Sequence, residues 1–557
     1  MKMYDAIVIG TGITGGWAAK ELCEKGLHTL VLDRGRNIQH GEYPTANMDS
    51  WDLPNNGKLS REELLEYPVQ RRAGYIDHAT QHLWVRDKEH PYHEDHPFDW
   101  IRGNHVGGRS LMWGRQVYRW SDLDFEANAK EGVGVDWPIR YNEIAPWYDY
   151  VEKYIGVSGK AEGIPHLPDG QFLPPMDYFC IEEHFVDRIR DKYNDRIVTM
   201  GRVANLTRDL PGRTRCQFRN RCIRGCPYGA YFSSQSSTLP AAMATGKMEL
   251  RPLSIVKRIL FNQLTQKATG VEVIDSETHE VTEYGARIIF LCASTLGSTQ
   301  ILLQSSSERF PNGMGNDSGE LGCNLMDHHC YAGASGSSDL FLDLYYKGRR
   351  PNGIYIPRYQ NINEKTRRSH YIRGFAYQGS CGRESWWRGI REAEFGAVFK
   401  EASFRPGLWK LGLISFGECL PYHDNKTYLH PSKKDMWGLP QLALKAEWKK
   451  NELAMRKDMQ NDAAEMLENA GFKNIVPFDH VNNPGGGIHE MGTARMGYDP
   501  KDSVLNRWNQ IHAVKNVFVT DGACMTSSAC QNPSLTYMAL TARAVGYAFE
   551  QLKKNEL

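Results

Sequence analysis

Three of the chain's 12 cysteines, Cys216, Cys222 and Cys226, lie close together in the stretch CQFRNRCIRGCPYG at 216–229. Thiolates this close, in a loop with a glycine and a proline, can converge on one iron–sulfur cluster. An odd number argues against a disulfide framework. A zinc site would normally need a fourth Cys or His at short spacing, which neither the loop nor its flanks offer. Three thiolates suit a [3Fe–4S] cluster, and a group of buried free thiols is the alternative.

The N-terminal stretch has the spacing of a dinucleotide-binding turn. An apolar strand at 4–9 leads into a turn with Gly10, Gly12 and Gly15, a helix to about residue 25, and a strand at 28–32 that ends in Asp33. In such a turn the first glycine allows the tight bend, the second admits the pyrophosphate and the third lets the helix pack closely. The acidic residue can accept the ribose hydroxyls and disfavours a 2′-phosphate, so FAD or NAD is predicted rather than NADP.

Further strand-to-helix units occur far along the chain, at 287–304 and at 516–552. They predict an α/β fold (α+β overall) with a discontinuous Rossmann-like domain. The segment at about 320–479 alternates short apolar runs with Gly and Pro turns, which predicts an inserted antiparallel-sheet domain. The predicted ranges are 1–40, 95–130, 240–330 and 481–557 for the dinucleotide-binding domain, and 41–94, 131–239 and 331–480 for the substrate domain and insertions.

Composition and charge exclude several classes of protein. The 67 Lys and Arg residues nearly balance the 66 Asp and Glu residues, for a net charge of +1, and are spread along the chain, which argues against a nucleic-acid-binding protein. No apolar run approaches the roughly 18 residues of a membrane-spanning helix. The first strand begins almost at the initiator methionine, so no secretory signal is expected, and the chain alone is expected to stay in the cytoplasm.

Several motifs together resemble the glucose–methanol–choline (GMC) oxidoreductases. They are the N-terminal glycine turn, VGGRS at 106–110, LGCNLMDH at 321–328, HEMGTARMG at 489–497, VFVTDG at 517–522 and NPSLT at 532–536. The last motif looks most like that of the pyranose-oxidising branch. The cysteine spacing looks like that of the catalytic subunits of bacterial FAD-dependent glucose, gluconate and glucoside 3-dehydrogenases.

The resemblance implies an FAD enzyme that oxidises an alcohol to a carbonyl. It places His489 as the base that takes the hydroxyl proton and Asn532 as the residue that orients the substrate. A neutral imidazole with a pKa near 6.5 suits that role. The alternatives are a histidine that only caps a glycine-rich turn and an Asn532-Pro533 pair that only starts a helix.

The same resemblance implies the residues that bind FAD. In pyranose oxidases the position that matches Met112 is a histidine bonded to the flavin, so a methionine predicts non-covalent, dissociable FAD. The implied FAD-binding residues are Gly10, Gly12, Gly15, Asp33, Arg34, Gly107, Gly108, Met112, Val256, Ala293, Asp521, Gly522, Asn532 and Pro533.

A sugar or glycoside is the expected substrate, with oxidation at C3 to a 3-keto sugar carried by the resemblance alone. Glu418 and Trp437 are candidate substrate residues, because sugars bind aromatic faces and a few polar groups; Trp386 and Trp387 are further aromatic candidates. We expect a solvated loop around His90, and a structural role for the pair at 328–329.

Relatives of this kind work with a small helper subunit and a c-type cytochrome. The helper often carries an export signal, so a periplasmic location is expected, with a cytoplasmic one as the alternative. Other open functions are a pyranose oxidase-like enzyme that uses O2, an NAD-dependent dehydrogenase with a cysteine zinc site, and a non-catalytic subunit.

Overall fold

The computed structural model describes residues 1–346, 350–385 and 395–557. Trp386 and Trp387 lie outside the described residues. The helices are α1 Ile13–Glu24, α2 Pro68–Ala73, α3 Asp122–Phe125, α4 Ala127–Glu131, α5 Tyr141–Ile155, α6 Cys180–Lys192, α7 Thr238–Ala244, α8 Thr295–Gln304, α9 Gly396–Phe404, α10 Lys450–Asn469 and α11 Ser534–Lys553.

Within these described ranges the strands divide among four sheets. They are β1 Lys2–Ile9, β2 Thr29–Leu32, β3 His93–Glu94, β4 Val157–Ser158, β5 Phe172–Leu173, β6 Thr199–Met200, β7 Met248–Arg251, β8 Ser254–Asn262, β9 Lys267–Asp275, β10 Val281–Leu291, β11 His329–Ser338, β12 Ile354–Ile356, β13 Phe375–Arg383, β14 Trp409–Gly417, β15 Lys426–Lys434, β16 Pro440–Lys445, β17 Lys473–Asp479 and β18 Val517–Val519.

The largest sheet is a parallel layer built from both ends of the chain. β7, β2, β1, β10 and β18 lie side by side and parallel. β9 pairs antiparallel with the first half of β10, and β8 pairs antiparallel with β9. The apolar runs of β1, β2 and β18 are fully or nearly fully buried, as expected for strands covered on both faces. The discontinuous Rossmann-like domain is confirmed.

The carboxyl ends of these parallel strands bring the predicted nucleotide residues together. The glycine turn follows β1, Asp33 follows β2, Ala293 follows β10 and Asp521 follows β18. In open α/β sheets ligands bind outside this edge. The fold therefore positions a nucleotide site here from four segments of the chain.

A second, six-stranded sheet is antiparallel throughout, in the order β17, β11, β14, β13, β12 and β6. Helix α10 packs on it, with Met455, Met459, Ala463 and Met466 in a core shared with the sheet. The inserted antiparallel sheet is thus confirmed, while the domain boundaries given above stay predictions. None of the helices in the described ranges is long and apolar enough to cross a membrane.

Candidate active site

A glycine-rich turn at 485–489 holds His489, and Asp327 fixes the shape of that turn. One oxygen of the buried Asp327 carboxylate accepts the backbone N–H groups of Gly485 and Gly487, at 2.8 and 2.9 Å. The other oxygen accepts the backbone N–H of His489 at 2.9 Å. Three amide donors on one carboxylate hold the backbone of His489 in place.

His489 lies between a second histidine and an amide. Its Nδ1 is 2.8 Å from Nδ1 of the fully buried His328, the residue directly before β11. Its Nε2 is 3.3 Å from Nδ2 of Asn532, which lies two residues before the start of α11. His489 and Asn532 are thus brought together from positions 43 residues apart.

The orientation of the Asn532 amide is set by Gln378 of β13. The Gln378 Nε2–H donates to Asn532 Oδ1 at 2.8 Å. With its oxygen occupied in this way, Asn532 presents its Nδ2–H groups towards His489. An amide donor and an imidazole nitrogen therefore converge on one point, an arrangement that can hold a hydroxyl group between them.

An ion pair lies next to this pair of residues. Arg109 donates two hydrogen bonds to the Glu490 carboxylate, at 3.1 and 2.8 Å, and a third to the Ser294 hydroxyl at 2.8 Å. Burial lowers the pKa of His489 well below its ordinary value, and the nearby His328 and Arg109 lower that pKa further. The His489 imidazole is therefore neutral at physiological pH.

This lowered pKa predicts how substrate oxidation depends on pH. With His489 as the base that the resemblance implies, the neutral imidazole is the active form, so a lower pKa moves the loss of rate to more acid pH. We expect kcat/KM to stay level as pH falls through 6.5 and to decline only at clearly lower pH. A rapid-reaction pH profile checks this, and a titration of kcat/KM at or above 6.5 would contradict it. Burial also raises the pKa of Asp33, a predicted FAD-binding residue, to about 6, so protonation of Asp33 falls in the same pH range. Flavin content is therefore recorded at each pH, to distinguish loss of FAD from protonation of His489.

Two sequence profiles described as GMC oxidoreductase match residues 199–330 and 421–541. This chain belongs to the GMC oxidoreductases. It is 27% identical to 2-methyl-1,2-propanediol dehydrogenase of Mycolicibacterium austroafricanum, over 98% of this chain and 94% of that one. It is 25% identical to the fructose dehydrogenase large subunit of Gluconobacter japonicus, over 99% and 98%. It is 24% identical to paromamine 6'-oxidase of Streptomyces fradiae, over 98% and 91%.

Among solved structures, formate oxidase of Aspergillus oryzae RIB40 has the same fold, with a TM-score of 0.61, 13% identity and 99% of each chain covered. The chain is accordingly an FAD-dependent oxidoreductase that acts on CH–OH groups. The sequence alone allowed FAD or NAD at the glycine turn, and membership of this family selects FAD.

The glycine turn of this GMC oxidoreductase fits FAD. A Cβ on Gly10, whose φ is +97°, would lie 2.4 Å from the carbonyl oxygen of Cys292, and one on Gly15 would lie 1.9 Å from that of Gly10. A Cβ on Gly12 would meet no described atom within 4 Å, so the backbone there faces open space. Gly108 closes the far side, because its Cβ would lie 3.4 Å from the Gly12 Cα. This is the cradle that a pyrophosphate needs.

Two alanine variants should separate cofactor binding from folding. Gly12→Ala places a methyl group in the open cradle at an ordinary φ of −64°, so we expect a normal melting temperature and a clear loss of bound FAD. Gly15→Ala meets the Gly10 carbonyl, and overpacking of this kind costs about 1–3 kcal/mol, so we expect a lower melting temperature. Flavin absorbance and thermal unfolding check both. Full FAD occupancy in Gly12→Ala would contradict the cradle.

The other predicted FAD residues line the same edge. The Asp33 carboxylate accepts the backbone N–H groups of Thr11 and Gly35 at 3.1 and 2.8 Å, and the Thr11 hydroxyl receives the Gly107 N–H at 2.8 Å. Asp521 accepts the backbone N–H of Ala523 at 3.0 Å. Of the remaining predicted residues, Val256 is buried in β8, Ala293 and Gly522 follow β10 and β18, Pro533 caps α11, and Met112 packs beside Leu83 and Leu111. Their contacts to FAD stay predictions.

Trp437, a candidate substrate residue, lies at the nucleotide edge beside Arg34, and its contact with a substrate stays a prediction. Its ring is 4.9 Å from the ring of His90 and 5.8 Å from the guanidinium of Arg34, which follows Asp33. Its indole N–H donates to the Ser276 carbonyl at 3.1 Å. The solvated loop expected around His90 is wrong there, since that side chain is buried and 2.9 Å from Arg34.

Glu418 is fully buried at the end of β14, next to arginines. Its carboxylate is 2.7 Å from Arg358 and 3.7 Å from Arg373. Burial raises the pKa of Glu418, and the two guanidinium groups oppose that rise. Arg358 and Arg373 thus neutralise the buried Glu418 carboxylate without any ligand. Contact between Glu418 and a substrate stays a prediction.

The cysteine loop is held against a neighbouring segment by arginines. Cys216, Cys222 and Cys226 are half-buried free thiols that line one cavity of about 30 Å³. Arg219 donates to the carbonyl oxygen of Ala46 at 2.7 Å, and Arg224 donates to that of Met48 at 2.8 Å. The arginines therefore bind this chain's own 45–49 segment.

The thiols agree with an iron–sulfur cluster in number and type but are not arranged as a ligand set. Within the described ranges, no group of three or more His, Cys, Asp or Glu side chains is placed to hold a metal ion. The cavity also contacts Tyr231, whose hydroxyl donates to the Leu111 carbonyl at 2.5 Å. Tyr231 thus connects the cysteine loop with the 107–112 segment at the nucleotide edge.

Sequence reasoning missed two residues of the site, His328 and Gln378. The histidine pair at 328–329 is predicted to be structural, although His328 contacts His489 directly. The signal available in the sequence was the position of His328 in LGCNLMDH at 321–328, one of the motifs that carry the family resemblance. Gln378 gave no signal, because it is one polar residue in a strand.

Proposed function

We propose that this enzyme oxidises a secondary hydroxyl of a sugar or glycoside, at C3, to give a 3-keto sugar. The observation that carries the proposal is the convergence of His489 Nε2 and the Asn532 amide on one point. Similarity to a fructose dehydrogenase subunit and to paromamine 6'-oxidase supports a sugar-like substrate. Similarity to 2-methyl-1,2-propanediol dehydrogenase makes a small diol the competing substrate class.

In the proposed reaction the substrate hydroxyl binds between the two side chains. Its oxygen accepts a hydrogen bond from Asn532 Nδ2, and its O–H donates to His489 Nε2. His489 takes the proton as the C–H bond breaks and the carbonyl forms. FAD, when bound, supplies the acceptor for the hydride that leaves this carbon. The alcohol thus loses two electrons and two hydrogens, of which the protein holds one as a proton.

We also propose that electrons leave through a [3Fe–4S] cluster held by Cys216, Cys222 and Cys226, to a cytochrome-type acceptor. The shared cavity of the three thiols supports this, together with the spacing that the sequence presents. Tyr231, which lines that cavity and bonds to Leu111, lies on the side of the loop that faces the nucleotide edge. Such a cluster would take electrons singly from a two-electron donor.

Partners and location follow from the same proposal. The relative in Gluconobacter japonicus is named a large subunit, which supports a small helper subunit here as well. A c-type cytochrome would receive the electrons. Export to the periplasm with a signal-bearing partner is the location proposed, and the alternative is the cytoplasm.

An oxidase that reduces O2 is the second candidate, favoured by the similarity to paromamine 6'-oxidase.

One experiment separates the possibilities. The oxidised enzyme is mixed without oxygen with glucose, a methyl glucoside, fructose, gluconate and 2-methyl-1,2-propanediol, and the loss of flavin absorbance is recorded. We expect bleaching by the glycoside and a 3-keto product by NMR. Bleaching by the diol alone would contradict the sugar assignment, and rapid peroxide formation in air would favour the oxidase.

A further inference from the structure

The hydrogen bonds around His328 determine which of its nitrogens carries a proton. His328 Nε2 lies against the carbonyl oxygen of Ala529. A carbonyl oxygen can only accept, so Nε2 must carry the hydrogen. His328 is fully buried, and burial lowers its pKa to about 4, so the ring is neutral. Its Nδ1 is therefore unprotonated and accepts.

This assignment fixes the proton of the next ring. His328 Nδ1 is 2.8 Å from His489 Nδ1, and two unprotonated nitrogens would repel each other at that distance. His489 Nδ1 must then be the donor, and a neutral His489 has its unshared pair at Nε2. The hydrogen bond from Asn532 Nδ2 at 3.3 Å agrees, since an amide N–H requires an acceptor at Nε2.

The four hydrogen bonds form one chain, in which each side chain donates to the next. Gln378 donates to Asn532, Asn532 to His489, His489 to His328, and His328 to the carbonyl of Ala529. Reversing the His489 tautomer would set two N–H groups against each other at Asn532, and two unprotonated nitrogens against each other at His328. The carbonyl of Ala529 therefore decides, through His328, where the basic nitrogen of His489 lies.

We propose that His328 is a positioning residue that, by accepting the Nδ1–H of His489, holds the basic nitrogen of His489 at Nε2, facing the substrate hydroxyl. This inference rests on the proposed function, in which His489 is the base. Charged groups face the two rings from neighbouring elements: Arg109 and Glu490 on one side, and Asp327 beneath the turn. Of these, the Asp327 carboxylate binds backbone amides and Glu490 binds Arg109, so the His328 ring is the partner of His489 Nδ1.

Two amide variants distinguish tautomer control from simple structural support. The side-chain oxygen of asparagine occupies about the position of histidine Nδ1, so His328→Asn retains an acceptor for His489 and loses the contact with Ala529. The amide of glutamine reaches the position of Nε2, so His328→Gln retains the Ala529 contact and loses the acceptor. His328→Leu removes both.

We expect His328→Asn to reduce its flavin within about tenfold of the wild-type rate, and His328→Gln and His328→Leu to be slower by a factor on the order of 10² or more, the scale of a wrong tautomer. Bound flavin and melting temperature are measured for each variant. If glutamine sustains the rate as well as asparagine does, or better, His328 acts by anchoring the 529 segment and the proposal is overturned.

A second readout does not depend on activity. Nitrogen-15 NMR of histidine-labelled holoenzyme, with His489→Ala used to assign the signal, should show an unprotonated Nε2 at residue 489, and a shift towards protonated Nε2 in His328→Gln. A protonated Nε2 in the wild type would overturn the inference. If His489→Ala instead retains the wild-type rate of flavin reduction, it is the proposed function that fails, and the two failures are distinct.

Discussion

Replacing His489 by alanine is expected to slow the reduction of bound FAD by substrate by a factor on the order of 10² or more, the scale of general-base catalysis. The reason is that the substrate hydroxyl loses its only designated acceptor, while Asn532 can still bind its oxygen. Anaerobic stopped-flow measurement of flavin bleaching gives the rate directly, without any contribution from the later electron transfer.

A matched control comes from another half-buried histidine. His512 bonds to the Ser503 hydroxyl at 3.0 Å and lies in the segment before β18, with no contact to the His489 turn among its hydrogen bonds. His512→Ala should reduce its flavin at the wild-type rate. Unchanged bleaching in a His489→Ala enzyme that retains its flavin would remove the base assignment, since general-base catalysis would then lie elsewhere.

Replacing Cys222 by serine is expected to leave bleaching of the flavin by substrate intact and to slow electron delivery to a cytochrome or a one-electron dye. A cluster that loses one of three thiolate ligands is impaired, and changes even to outer-shell partners of metal sites typically cost about 10–100-fold. The two half-reactions are measured separately, by stopped flow without acceptor and by steady-state dye reduction.

Cys381 provides the control for this variant, because it is also a half-buried free thiol but lies in β13. Cys381→Ser should retain both half-reactions. Unimpaired delivery by Cys222→Ser would mean that the cysteine loop is not the route by which electrons leave. Impaired bleaching together with a lower melting temperature would instead indicate that the loop only supports the fold.

The nucleotide edge was predictable from sequence because its determinants are local. The spacing of Gly10, Gly12 and Gly15 after an apolar run specifies a strand, a turn and a helix, and Asp33 follows at the end of the next strand. These features depend on neighbours within about 30 positions. The order and type of the main elements follow from the same short-range patterns.

The hydrogen-bond chain at His489 was only partly predictable. His328 and His489 are 161 positions apart, and Gln378 and Asn532 are 154 apart, so their contacts depend on how the antiparallel sheet is placed against the nucleotide domain. For Trp437, residue type alone gave no position; the structure places it beside Arg34 at the nucleotide edge, and its contact with a substrate stays a prediction. The expectation of a solvated loop around His90 gave no sign that this histidine would be buried against Arg34.

The most direct test of the central claim, that this enzyme passes electrons from FAD to an external carrier through its cysteine loop, is a low-temperature EPR spectrum of the oxidised protein purified without oxygen. The account predicts a near-isotropic signal just above the free-electron position, from a [3Fe–4S] cluster on Cys216, Cys222 and Cys226. An EPR-silent protein without bound iron would contradict it.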